Sequence, residues 1–341
     1  MATVLGLEST CDETAAAVVA DGCRVRSSVV ASQVEIHAKY RGVVPEIASR
    51  AHIENVLPVV KEALSSAAVE LRDIDAVAVT NRPGLIGSLL IGVTAAKTLA
   101  WALGRPLAGI DHVHAHLYSV ALENPGFAWM PAVGMVLSGG HTSIYRVDGP
   151  LAVQLLGSTT DDAVGEAYDK VAAILGLGYP GGPIIDDLAQ RGDPQAVRFP
   201  RTMLGRGSLD FSFSGIKTAV LYHVRGYQGR QHPDASHLSE QQIADIAASF
   251  QAACIDVITR KLQRALKKTR AKMAIIGGGV SANRGLRAAL AQFQAPVVFP
   301  DLKYTTDNAA MSAGLADVKL RSGQTAGLDL DAVTYSQFQP A

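Results

Sequence analysis

Short unbroken apolar runs separated by polar turns set the rhythm of this chain. Ala76-Val77-Ala78-Val79, Val133-Gly134-Met135-Val136-Leu137 and Met273-Ala274-Ile275-Ile276 have the character of strands buried on both faces. From Gln242 to Leu266 the apolar positions Ile243, Ile246, Phe250, Ala253, Val257 and Leu262 follow helical spacing instead, which predicts a long amphipathic helix. Alternation of the two patterns predicts an α/β fold with helices packed on sheets. A weak internal echo adds to this. Val4-Leu5-Gly6-Leu7 runs through Glu8-Ser9-Thr10-Cys11-Asp12-Glu13-Thr14 into the apolar run Ala15 to Ala20. Val133 to Leu137 runs in the same way through Ser138-Gly139-Gly140-His141-Thr142 into Ser143-Ile144-Tyr145. Both read as strand, tight polar turn, strand. A third strand, Met273 to Ile276, ends in Gly277-Gly278-Gly279-Val280-Ser281-Ala282-Asn283 and enters a helical stretch at Arg284. The echo predicts two lobes that each bring a polar hairpin to one cleft able to wrap a nucleotide, the first lobe ending near Ile110.

Composition narrows the class. The 341 residues suffice for one large domain or two lobes, and 48% hydrophobic with 18% charged residues fits a compact enzyme rather than a disordered chain. Lysine plus arginine equals aspartate plus glutamate at 31 each, so no global field points to a nucleic acid, although a local patch could still bind one. Cys11, Cys23 and Cys254 are too few and too scattered for a disulfide framework or a CxxC zinc site. No apolar run approaches the roughly 20 residues of a membrane-spanning helix. Met1-Ala2-Thr3-Val4-Leu5-Gly6 has neither a basic segment nor a signal-like cleavage site. The expectation is a cytoplasmic protein without membrane contact.

Several elements could carry chemistry. Glycines after a buried strand, as in Ser138-Gly139-Gly140, let the backbone approach a ligand and aim N–H groups at an anion, though the same residues make an ordinary hairpin turn. Gly277-Gly278-Gly279 lacks both the GKS/T of a P-loop and Rossmann spacing. His112 and His116 lie four apart, so on a helix they share a face and could grip one metal ion, while His114 would point elsewhere. Val113 after His112 rules out HExxH, and a peptidase reading loses its general base. Asp307, in Thr305-Thr306-Asp307-Asn308, is a plausible third ligand that spacing alone cannot join to His112. The acidic residues of Glu166-Ala167-Tyr168-Asp169-Lys170, with Asp186 beyond the turn Gly178-Tyr179-Pro180-Gly181-Gly182-Pro183, could hold ribose hydroxyls or an ammonium, or cap a helix. Asp12 and Glu13 could be an N-cap pair or catalytic acids. Arg260, Lys261, Arg264, Lys267, Lys268, Arg270 and Lys272 read as a solvated helix end, with a phosphate-binding patch as the alternative.

Together these segments resemble one family. Leu5 to Thr14, Gly42-Val43-Val44-Pro45-Glu46-Ile47-Ala48-Ser49-Arg50, Pro83-Gly84-Leu85-Ile86-Gly87-Ser88-Leu89, His112-xxx-His116 and Leu137 to Thr142 follow one another as in the TsaD family. So do Gly165 to Lys170, Tyr179 to Pro183, Asp210-Phe211-Ser212-Phe213-Ser214-Gly215, Gly277 to Asn283 and Thr306-Asp307-Asn308. The resemblance implies the two-lobed α/β fold of actin, Hsp70 and sugar kinases, with a nucleotide and metal cleft between the lobes. One lobe would take residues 1–110 plus about 308–341, and the other residues 111–307. It implies transfer of threonylcarbamoyl from threonylcarbamoyl-adenylate to N6 of the adenosine 3′ of the anticodon, in tRNAs reading codons that start with A. By motif, His112, His116 and Asp307 look like ligands of one divalent ion, iron favoured and zinc possible. Val136, Leu137, Ser138, Gly139, Gly140, Asp169, Gly182, Asp186 and Asn283 look like the substrate pocket, and Asp12 or Glu13 is the candidate general base. A TsaB-like paralogue and a TsaE-like ATPase are the implied partners. The chain departs from many relatives at Asn81-Arg82, at Val113-His114-Ala115 and at Thr305, none of which removes a ligand type. A metabolite kinase on this fold would leave the histidine pair unexplained, and a non-catalytic TsaB-like protein would lack His112, His116 and Asp307.

Overall fold

The computed structural model describes residues 2–205, 207–226 and 231–338. Met1, residues 206 and 227–230, and residues 339–341, all inside the expected lobes, lie outside the described residues. Among the described residues ten strands form two sheets: β1 (Thr3–Glu8), β2 (Glu13–Ala20), β3 (Arg24–Ser32), β4 (Ala76–Arg82) and β5 (Leu107–Asp111) in one; β6 (Ala132–Leu137), β7 (Thr142–Gly149), β8 (Ala152–Ser158), β9 (Met273–Gly277) and β10 (Val297–Val298) in the other. Their orders are β3-β2-β1-β4-β5 and β10-β9-β6-β7-β8. In each, three consecutive strands pair antiparallel and two later strands add in parallel beside the first. The weak echo in the sequence is thus a repeat of topology.

The helices are α1 (Val34–Ala38), α2 (Pro45–Ser66), α3 (Ile86–Leu103), α4 (His112–Tyr118), α5 (Val164–Ile174), α6 (Gly181–Ala189), α7 (Ser214–Arg225), α8 (Glu240–Thr269), α9 (Arg284–Leu290) and α10 (Ala309–Arg321). Period two divides the faces of β1: Leu5 and Leu7 join the core under α2 and α3, whereas Val4 joins the core under α10. With both faces covered, the strand needs no polar alternation, which is why it reads as a continuous apolar run. The second sheet turns Val133, Met135 and Leu137 toward α5, α7 and α8. Its other face meets α4, whose Val113 and Leu117 pack on Val136 and Ile275, while Ala115 and Tyr118 pack with the first sheet and α10. The short helix α4 is therefore wedged between the cores of both sheets.

Local signals explain the helix starts that matter for the cleft. Ser239 and Gln242 exchange a capping box at the start of α8, and Asn308 accepts from Met311 N at 3.1 Å at the start of α10. Contrary to the reading of the apolar runs, α3 is by length and composition long enough to cross a membrane, with a mean hydropathy of 1.5 over 18 residues. Its Leu89, Val93, Ala96 and Ala100 are buried against the first sheet, while Ile86, Leu90 and Trp101 are exposed.

Candidate metal centre and cleft

Helix α4 begins directly after β5, where Asp111 Oδ1 accepts from Val113 N at 3.0 Å and His114 N at 3.2 Å. That cap fixes the helix phase from its first residue, and the 3.6-residue turn places His112 and His116 on one face with ring centroids 4.6 Å apart. Asp307, just before the capped start of α10, brings Oδ1 to 3.1 Å from His116 Nε2 and 3.4 Å from His112 Nε2. Ligand atoms of the three residues lie within 4.8 Å of one another. The histidines are buried and the carboxylate is partly open, so access is from the Asp307 side. His114 points off this face, donating Nε2 to the Pro150 carbonyl at 2.7 Å with its ring against Phe338.

A residue that sequence reasoning missed, Glu8, braces the centre from below. It is buried at the end of β1, where Oε1 accepts from Thr10 N at 2.9 Å and Oε2 accepts from Thr80 Oγ1 at 2.6 Å. His112 Nδ1 lies 3.3 Å from the same Oε2, so Glu8 holds a proton on Nδ1 and fixes the ring with Nε2 turned toward Asp307. Glu8 was visible only as a member of a motif, because nothing local marks a carboxylate reaching a histidine 104 residues away. His116 Nδ1, in contrast, is a buried nitrogen without a partner among the described residues. Burial opposes charge on His112, but Asp307 and Glu8 outweigh it and hold its pKa well above the usual histidine range. For His116 burial prevails and lowers the pKa. For Asp307 the reverse occurs: burial would favour the acid, yet His112 and then His116 hold the carboxyl well below its usual range. Two imidazoles and a carboxylate whose ligand atoms converge this closely fit a divalent ion in a His₂Asp set with open positions.

Beside this centre lies the turn between β6 and β7. His141 stands 6.0 Å from the His112 ring, and its backbone N donates to Ser138 Oγ at 3.0 Å. Gly139 and Gly140 are exposed, whereas the side chains of Val136 and Leu137 belong wholly to the core, so only their backbone can reach a ligand. Gly165 on α5 lets that helix approach the turn: a Cβ there would lie 2.7 Å from the Ser138 carbonyl. The opposite hairpin carries Asp12 and Glu13. No helix begins there, so the N-cap alternative does not hold; Glu13 opens β2 and accepts from Ser32 Oγ at 3.2 Å. Burial, then Asp307 and Asp12, push Glu13 up to about 9. Burial followed by Asp12, Asp169, Cys11 and Glu13 raises Tyr179, which marks these groups as neighbours across the cleft.

The capping alternative is realised at both Asp169 and Asp186. Asp169 Oδ1 accepts from Gly181 N at 2.7 Å, at the start of α6, and Asp186 Oδ2 accepts from Arg284 N at 3.2 Å, at the start of α9. Burial raises Asp169 despite its bonds to the Gly181 and Gly182 amides. Gly182 leaves open space beside that helix start, and Asn283 is buried next to Asp186. The basic run divides. Lys261 is wholly buried and donates to the Met203 and Ser208 carbonyls at 2.8 and 2.9 Å, Arg264 donates to Ser208 O at 2.7 Å, and Arg260 lies 3.5 Å from Asp256. Lys267, Lys268, Arg270 and Lys272 are exposed.

Known proteins share both the sequence and the fold. A sequence profile described as TsaD, tRNA N6-adenosine threonylcarbamoyltransferase, matches residues 24–314. A protein of that name from Geobacter sp. (strain M21) is 51% identical over 97% of this chain and 95% of its own length. Its counterpart from Moorella thermoacetica is 49% identical over the same shares of both chains. Among solved structures, HypF from T. kodakarensis superposes with a TM-score of 0.62 at 14% identity, covering 94% of this chain and 48% of that one, a likeness of fold alone. A profile match over most of the length and half-identical relatives of equal extent leave one assignment: the chain belongs to the TsaD family of tRNA N6-adenosine threonylcarbamoyltransferases.

Proposed function

We propose that this chain takes threonylcarbamoyl from threonylcarbamoyl-adenylate and places it on N6 of the adenosine 3′ of the anticodon, in tRNAs reading codons that start with A. Threonylcarbamoylation of tRNA adenosine N6 is the reaction of its family, and the chain is a transferase of that kind. The observation that carries the finer reading is the convergence of His112, His116 and Asp307 beside the turn that exposes Gly139 and Gly140. In the transfer N6 attacks the carbamoyl carbon, the N6–C bond forms as the C–O bond to phosphate breaks, and AMP and one proton leave. His112, His116 and Asp307 would hold one divalent ion, iron in preference to zinc, which when bound polarises a carbamoyl or phosphate oxygen. The Gly139 and Gly140 amides receive the leaving phosphate. Asp12 or Glu13, on the opposite hairpin, accepts the proton from N6. Because the adenylate is already activated, the remaining contribution of the protein is positioning and exclusion of water.

The partners follow from two surfaces. Ile53 and Leu57 on α2, with Ile86 and Leu90 on α3, form an exposed apolar face on two packed helices, suited to a TsaB-like paralogue. Lys267, Lys268, Arg270 and Lys272 offer phosphate contacts to tRNA, and a TsaE-like ATPase completes the proposed assembly in the cytoplasm. The test is metal analysis of the purified protein, followed by an assay with labelled threonine, tRNA, the partners and an adenylate-forming enzyme. Label on N6 of tRNA adenosine, lost on chelation and restored by iron, is the expected result. Label that never leaves the adenylate, or leaves equally well without metal, would sink the reading.

A further inference from the structure

Asp186 and Asn283 come from different helix starts, and one side chain spans the gap between them. Gln251, buried in the middle of α8, donates Nε2 to Asp186 Oδ1 at 3.1 Å and accepts at Oε1 from Asn283 Nδ2 at 2.7 Å. The Tyr168 hydroxyl on α5 donates to the same Oε1 at 3.4 Å. Only one amide orientation serves: reversed, the glutamine would set NH₂ against NH₂ and carbonyl against carboxylate. Its neighbours on α8, Phe250, Ala247, Ala253 and Cys254, are core residues, so an apolar side chain here would pack without the cost of desolvating an amide. Gly285 admits it, since a Cβ there would lie 2.8 Å from Gln251 Nε2.

The remaining valences show what the bridge is for. Asp186 Oδ2 is taken by Arg284 N and, at 2.8 Å, by Arg284 Nε, while Asn283 Oδ1 accepts from Leu286 N at 2.8 Å. With Gln251 in place, Asp186 Oδ1 keeps one lone pair and Asn283 keeps one N–H and one lone pair. An acceptor and a donor held side by side complement a vicinal diol, each hydroxyl of which both donates and accepts.

We infer that Gln251 is a positioning residue, which aligns Asp186 and Asn283 on the ribose diol of the adenylate donor; this rests on the pocket reading given above. Gln251→Met keeps the length and removes all three hydrogen bonds. Calorimetry with AMP and kinetics with threonylcarbamoyl-adenylate should show Kd and KM raised about tenfold, the effect of one or two misplaced buried bonds. The kcat should stay within about threefold, and KM for tRNA should not move. Gln251→Glu keeps the shape but sets a carboxylate against Asp186, and it should shift the same two constants further. A folded variant with parental Kd and KM, or a loss confined to kcat, overturns the inference. So does failure of both variants to fold, which would make Gln251 a core residue only. A parent chain that does not bind AMP overturns the pocket reading with it, whereas a binding parent with equally binding variants removes the role of Gln251 alone.

Discussion

The turn between β1 and β2 and the turn between β6 and β7 occupy equivalent places in two sheets of one topology, yet they are built from different materials. The first is a side-chain turn. His52 on α2 grips it by the Cys11 carbonyl at 3.0 Å and by Thr14 Oγ1 at 2.7 Å, and it sends Glu8, Asp12 and Glu13 toward the cluster of His112, His116 and Asp307. The second is a main-chain turn. Ser138 and His141 close it through their own backbone, Gly165 backs it at close range, and at Gly139 and Gly140 it presents only amides. The repeated topology supplies two hairpins, and the difference teaches how the labour is split. Carboxylates hold protons and steer an imidazole, so their hairpin is sensitive to burial and charge. Amides cannot titrate, and burial lowers the His141 imidazole to about 4, so above that value their hairpin offers an anion a constant field.

The largest effect should come from the residue that both hairpins adjoin. Asp307→Asn removes the charge that two imidazoles share while nearly keeping the shape. Metal affinity, followed by competition with a chelator, should fall by more than the roughly 10–100-fold that loss of an outer partner costs. Transfer to tRNA should fall with it, and stability far less. Parental metal content in this variant would separate the histidines from Asp307 and unmake the centre. Next in size is Gly139→Val. A Cβ at Gly139 meets nothing within 4 Å, and the backbone there is not left-handed, so the fold should absorb the change within about 0.5 kcal/mol. The added methyl groups fill the space proposed for phosphate, and affinity for the adenylate should drop about a hundredfold, the worth of two hydrogen bonds to an anion. Unchanged affinity in a calorimeter would take the main-chain turn out of the comparison.

What the sequence showed and what it hid follow a physical line. Strands covered on both faces are continuous apolar runs, so β4, β6 and β9 were legible, as was the helical face shared by His112 and His116, since each depends on local geometry. The echo was legible as two hairpins but not as two whole sheets, because β3, β8 and β10 lie at the ends of their sheets and carry weaker patterns. Asp307 could be joined to the histidines only by resemblance, for no spacing rule spans 191 residues. Glu8 and Gln251 were hidden for another reason: a lone polar residue in an apolar stretch shows nothing of the partner it meets in space. Lys261 was misleading in the opposite sense. Six other basic residues surround it, and only the fold reveals that it turns inward to the Met203 and Ser208 carbonyls.

The side-chain turn should also reveal itself by pH. Burial, Asp307 and Asp12 raise Glu13 from its ordinary 4.5 to about 9 in the folded metal-free protein. A group whose folded pKa is raised contributes stability that is fully present below the unfolded pKa and is lost as pH climbs through the folded value. The metal-free parent should therefore lose stability between about pH 4.5 and 9 relative to Glu13→Gln, which carries no charge to suppress. Denaturant melts of the two proteins across that window measure the difference directly. Parallel curves would mean that Glu13 is solvated like an ordinary surface acid. No such window should open on changing Ser138, Gly139 or Gly140, since that turn segment has nothing to titrate.

The smallest effect on chemistry should follow His114→Ala, and it decides whether the metal belongs to the cleft or to the packing between the sheets. His114 sits between the two ligand candidates in sequence, yet two residues along a helix are a rotation of about 200°, which carries its ring to the opposite side. There it donates to the Pro150 carbonyl and rests on Phe338, 5.4 Å between centroids, in the seam where α4 meets the second sheet. Removing it leaves that carbonyl without its donor and a gap beside the phenyl ring, so stability should fall by about 1–3 kcal/mol. Metal stoichiometry and the rate of transfer should stay at parental values once measured well below the melting range. His116→Ala should do the reverse, releasing the metal, because it removes one of three ligands and leaves the Asp307 carboxylate with His112 alone. An empty site in His114→Ala together with a full one in His116→Ala would show that α4 presents its other face to the cleft. The two hairpins would then have no metal between them to divide their work around.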